Sequence, residues 1–364
     1  MFMTLITKIF EVAPAFSSLH RNRAFSKRLY FKRSALSFFE KIFLIGIVFS
    51  LLGLFFLSER WVIFSLLSTL LLGGTILFDM ALFKTKIFQN SFEPFVITGI
   101  LQLLPWMIVP FIAFVYIEPS LFFLAFSAGV LNMVGLWFYF KSVHFDQDGV
   151  TSAVLWNLLI VVVPIFSFFI LQEKFLVSQY FGIFLLFFGA GIILYQKMMQ
   201  KKQVVFNMLL AIFFVAVSVV IMKSVFTAIP GNESSIIFWS GFLPFILGEG
   251  VLSLVVLFVG KKFLSRLLGI WQAYWWIFLF IEGLQVLAEV SESYAMTLGP
   301  VSMVIAMEGL IGVFVILIAL IVFYMMQGTK KESLWEKLKN EQLSCMRSKT
   351  IGIILVVVGA YFIS

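Results

Sequence analysis

Cysteine occurs once, at Cys345, and histidine twice, at His20 and His144. A single cysteine excludes an intrachain disulfide and a thiolate metal cluster, and without a histidine pair at ligand spacing no zinc site is expected. His144 has Asp146 and Asp148 nearby in a stretch that reads as a turn; no metal is assigned there. Charge is scarce as well. Asp, Glu, Lys and Arg make up 12% of the chain, about half of the ~25% usual in soluble domains. The chain contains no His-Glu-x-x-His, no Gly-x-Ser-x-Gly and no Gly-Lys-Ser/Thr phosphate loop. Their absence argues against an enzyme and against ATP-driven chemistry, and no cofactor is expected. Alternating ten-residue strands of the outer-membrane barrel kind are missing. No small-residue cleavage site follows the first apolar run, so a removable signal peptide is not expected.

What fills the chain is apolar. Of 364 residues 62% are hydrophobic, 47 of them Phe, and the mean hydropathy is +1.09. Apolar runs of about 20 residues, the length that crosses a hydrocarbon core of about 30 Å, recur from residue 36 onward. The class is therefore an all-α polytopic membrane protein. About 11 spans are expected, at 36–57, 61–83, 95–116, 121–140, 150–171, 180–195, 206–229, 236–259, 275–296, 301–325 and 351–363. The last is short for a full crossing.

The net charge of +8 is explained by where its cations fall and does not imply nucleic acid. Of 26 Lys and Arg residues, all but Arg60, Lys174 and Lys223 lie in the N-terminal tail, at the entry of the first span (Lys41) or in alternate loops on one side of an eleven-span chain. Positive charge marks the cytoplasmic side, so the N-terminus is expected in the cytoplasm and the C-terminus outside. Residues 1–35 form a basic cytoplasmic tail that flanks the first span and can lie on an anionic lipid surface. Trp271, Tyr274, Trp275 and Trp276 read as an interfacial belt. Residues 327–349 alternate charge at helical spacing and are expected as a cytoplasmic insertion with an amphipathic helix.

The ninth span carries the strongest signal. Glu282, Gln285, Glu289 and Glu292 are spaced three, four and three residues apart, which at 3.6 residues per turn puts all four on one helix face. An ionised carboxylate at a helix centre costs roughly 2.5–3.5 kcal/mol in lipid. The stripe must therefore face protein or a wet cavity. Glu308 falls in the tenth span, Asn132 in the fourth, Asn157 beside Trp156 in the fifth, and Lys223 in the seventh. Glu249 falls midway in the eighth and Asp79 near the cytoplasmic end of the second. By depth, Lys223 is placed to pair with Glu292, while Glu308, Glu289 and Asn132 share the middle. Glu282, Gln285, Glu289, Glu292, Glu308, Asn132, Asn157 and Lys223 are the candidate residues of a substrate or proton path. Glu289 and Glu308 are its central acids.

Two stretches resemble each other. Residues 139–144, then Gly149-Val-Thr-Ser, parallel residues 294–298, then Gly299-Pro-Val-Ser. Each is followed by a span with glycines seven apart, Gly182 to Gly189 and Gly352 to Gly359. This divides the chain into an extra transmembrane helix (36–60), a first five-helix repeat (61–198), a linker (199–203) and a second five-helix repeat (204–364). An odd number of spans per repeat makes the two halves inverted, an architecture that places a site near the midplane. The chain resembles the drug/metabolite transporter superfamily, in its EamA-like branch, whose repeat ends with a proline-bearing span, a Glu and a Gly-x6-Gly span. Pro164, Glu173 and Gly182 to Gly189 match that pattern in the first repeat. The second repeat lacks that Pro and Glu and has Glu308 and Gly312 instead. Inverted repetition, midplane acids and the lack of an ATP-binding motif lead to the expectation of a secondary active transporter of a small organic solute, with a bacterial inner membrane as the starting assumption for its location. The acidic lining favours a cationic or zwitterionic solute, or coupling to protons. A lipid or polyprenol flippase of similar fold and a membrane-embedded enzyme are the alternatives.

Overall fold

A computed structural model describes residues 53, 59–84, 87–145, 155–194, 202–259, 261–325 and 346–363. The tail 1–35, nearly all of the extra span 36–60, the insertion up to residue 345, and Asp146 and Asp148 lie outside them. No strand occurs among the described residues. Helices follow in the order α1 (Arg60–Lys84), α2 (Phe92–Leu101), α3 (Pro119–Phe145), α4 (Leu159–Ile170), α5 (Val177–Leu194), α6 (Lys202–Ala228), α7 (Ser234–Val259), α8 (Lys261–Leu298), α9 (Val301–Ala306), α10 (Ile311–Met325) and α11 (Met346–Ile363). A 3-10 stretch, Leu104–Phe111, follows α2, and another, Met307–Leu310, joins α9 to α10.

Seven of these segments are long and apolar enough to cross a membrane, and three shorter apolar helices accompany them. Apart from the acidic stripe of α8, they carry few charges on any face, as helices set between lipid and protein do. Their backbone groups are satisfied within the helix, which lipid demands. The fold thus fits an all-α membrane protein.

Three elements differ from the sequence expectation. The span at 95–116 is not one helix. Pro105 has no N–H and its ring collides with the carbonyl four residues back, so α2 stops at Leu101 and the chain continues as a 3-10 stretch that contains Pro110. Gln102 and Leu103 fall at this break. The tenth span passes into a 3-10 stretch at Met307–Leu310, which has no proline but contains Gly309 and is followed by Gly312. The cationic segment 261–266, read as a loop, is helical: α8 runs 38 residues, about 57 Å at 1.5 Å per residue, so it outreaches the hydrocarbon core. No proline interrupts this stretch, so the helix continues past the apolar part. In addition, α6 begins at Lys202, within the stretch read as a linker, and α11 begins at Met346, within the stretch read as an insertion.

The helices pair across the chain. α3 lies along α6 and α1 along α8, while α2 meets α7, α4 meets α9, and α5 lies on α11. Glycine permits the closest of these approaches. A Cβ on Gly182 would sit 2.9 Å from the Gly359 carbonyl oxygen and one on Gly359 would sit 2.8 Å from that of Gly182. Gly189 stands in the same way 2.6 Å from the Gly352 oxygen. Gly129 on α3 lies against the Phe245 carbonyl, and Gly248 on α7 against that of Phe126. Bare backbone at these points lets the helices approach closely.

Candidate functional site

Between the crossing helices lies a cavity of about 110 Å³, room for several waters. The acidic stripe of α8 forms one wall, with Glu282, Gln285, Glu289 and Glu292 all lining the space. Glu308 enters from the 3-10 break, Asn132 from α3, and Asp79 from α1 one helical turn beyond Thr75. Trp156, Tyr139, Phe140 and Phe245 supply aromatic walls. The lining thus holds five carboxyl side chains and, among the described residues, no Lys, Arg or His.

The acids are held individually. Glu282 is 7% exposed and accepts the Thr98 hydroxyl of α2 at 2.7 Å. Glu308, also 7% exposed, accepts the indole N–H of Trp156 at 3.1 Å. Asn132 sits between Gly129 and Gly135, which let α3 close on α7 and α6. Its amide nitrogen donates to Glu249 Oε1 of α7 at 2.7 Å and to Glu289 Oε1 of α8 at 3.3 Å. One side chain therefore ties two acids from different helices.

Two candidates lie elsewhere. Asn157 is buried but is not part of the cavity wall. Lys223 is also outside it and does not reach Glu292. Its ammonium donates to the carbonyls of Met296 and Gly299 at 2.7 and 2.8 Å. These are at the C-terminal end of α8, where the helix dipole favours a cation. Depth in the sequence placed Lys223 at the right level, but exposed helix-end carbonyls are the partners it meets. On the other side of the same turn, Glu173 receives the Val301 N–H at 3.1 Å and the Ser302 hydroxyl at 2.8 Å, capping the start of α9. Ser302 also hydrogen-bonds Ser167 of α4. The Gly299–Pro300 turn is thereby clamped from both sides. Far from this turn, Arg266 on the overhanging part of α8 pairs with buried Glu93 at 2.6 Å, and its guanidinium meets Gln89.

Sequence reading had noted Asp79, Glu249 and Trp156 without assigning them to the path. It did not single out Thr98, Gln102 or Tyr139. A lone acid in an apolar run marks Asp79 and Glu249 as interior. Which face of α1 or α7 turns inward is set by packing, and local spacing does not record it.

No family model matches the sequence, and no curated protein sequence matches it. A solved crystal structure is similar in fold, with a TM-score of 0.52 at 13% identity over 88% of this chain and 95% of that one. At this identity the likeness concerns the fold alone.

Proposed function

We propose that the chain is a secondary active carrier of about 11 spans in a bacterial inner membrane, N-terminus in the cytoplasm. Two inverted five-helix halves enclose an acidic chamber, and a small organic cation or zwitterion is exchanged there against protons by alternating access. The observation that carries the reading is the set of five carboxyl side chains, Asp79, Glu282, Glu289, Glu292 and Glu308, around one cavity whose described lining has no cation. Intramembrane acids are costly and mark ion and solute pathways. A cavity of this charge attracts a positive group and repels a phosphate ester.

Inversion of the halves is supported by the helix pairs. Exchanging α1–α5 for α6–α11, with α9 and α10 counted as one span, turns α3 on α6 into α8 on α1. The same exchange returns α2 on α7, α4 on α9, and α5 on α11 to themselves. The EamA-like resemblance gains from Pro164 inside α4, from the capping role of Glu173, and from the mutual contact of the two glycine-bearing spans.

The test is reconstitution in vesicles loaded with a pH dye and challenged with pools of amines, amino acids, organic acids and sugar phosphates. Positively charged pools should change lumenal pH. Glu308→Gln and Glu282→Gln should abolish the response while the protein still reconstitutes. Response to acidic pools only, or full response from both variants, rejects the reading.

A further inference from the structure

Behind the cavity wall lies a second group of polar side chains. Glu249 of α7 is 0% exposed and takes no part in the lining. Glu289 of α8, 9% exposed, stands between it and the cavity. Asn132 donates to one oxygen of each. The second oxygen of each carboxyl, Oε2, is buried with no hydrogen-bond partner among the described residues. Gln102, 1% exposed, lies beside Glu289 at the α2 break, and neither of its polar atoms makes a hydrogen bond of normal length and angle among the described residues. Gly99 and Gly250 let α2 and α7 close around this point, Gly99 meeting Ser253 and Gly250 meeting Leu103.

We infer that Glu249 and Glu289, bridged by Asn132 and faced by Gln102, form a proton-binding site that starts at the cavity wall with Glu289 and ends behind it at Glu249. Two like charges this close and this dry oppose each other. One proton placed on the pair turns a bare Oε2 into a donor for the other and leaves a single negative charge. A solute cation reaches Glu289 from the cavity but not Glu249, which lies behind it, whereas a proton passes from one to the other. Glu289 in turn acts on Glu282 and Glu292 of α8, while Asp79 of α1 faces Glu282 and Glu308 faces Glu292. Among the described residues, α3 and the break after α2 face the pair with the amides of Asn132 and Gln102. Its role as the coupling site rests on the carrier reading. The site itself does not, and it is tested without transport.

The experiment is an infrared pH titration of the purified full-length protein in lipid, following carboxyl bands with no solute present. The wild type should show a protonation step that Glu249→Gln, Glu289→Gln and Asn132→Ala each displace or remove, and that Lys223→Met, outside the cavity and bound to backbone carbonyls, leaves in place. Size-exclusion elution and thermal melting report whether each variant is folded. Asn132→Ala, which removes no carboxyl, keeps the test decisive where a Glu variant fails to fold. Replacing potassium by sodium at constant pH should not move the step. A step unmoved in the folded variants, or one abolished by sodium, overturns the assignment. A failed solute screen with an intact step rejects the carrier reading but keeps the proton site.

Discussion

Gly189 and Gly191 are two residues apart on α5 and have opposite neighbours. A Cβ at Gly189 would meet the Gly352 carbonyl at 2.6 Å and Val356 at 2.7 Å, while one at Gly191 meets nothing within 4 Å. Overpacking a helix contact costs about 1–3 kcal/mol or more. Gly189→Leu should therefore lower the melting temperature of the detergent-solubilised protein by several degrees, and Gly191→Leu should leave it unchanged or raise it. Equal effects would show that the α5–α11 approach is not tight. At this scale the sequence was most legible where one helix fixes all the geometry. The spacing of Glu282, Gln285, Glu289 and Glu292 sufficed to put them on one wall. Glu249 and Gln102 were not legible as partners of Glu289, because three helices meet there and no local pattern records the meeting.

Among the elements, the turn between α8 and α9 shows what Lys223 does. Its ammonium is bound to two carbonyls at the end of α8, and hydrogen bonds to a charged donor contribute about 1.5–3 kcal/mol. Lys223→Met should lower the melting temperature and leave solute-dependent dye responses in place, the reverse of Glu308→Gln. A Lys223→Met protein that melts normally but no longer responds to solute would return Lys223 to the pathway. The spans were readable from their apolar length because lipid enforces that length. The breaks were less so. Pro105 and Pro110 stood in plain view, but their run is apolar throughout, and hydropathy does not separate a continuous helix from a broken one. The far end of α8 was missed for the opposite reason: cations end the apolar run without ending the helix.

For the whole molecule, if the chain has the eleven spans proposed, all cations but Arg60, Lys174 and Lys223 belong to the side proposed as cytoplasmic. A reporter active only in the cytoplasm, fused after Ser364, should stay silent, and the same reporter fused at the N-terminus should be active. Activity at both ends would mean an even number of spans. The all-helical class and the existence of an acid-lined interior were open to sequence reading, since composition and helical period determine both. The pairing of helices was not, because each contact joins residues far apart in the chain.

The reciprocal glycine contact has a consequence for biosynthesis. α5 is complete by residue 194, yet its glycine face is covered by α11, the final 18-residue helix of the described chain. Through translation of everything between, that seam has lipid or a helper protein for company. On this order of synthesis α5 is made well before the helix that covers its glycine face, and the α5–α11 seam is expected to close only once α11 has been made.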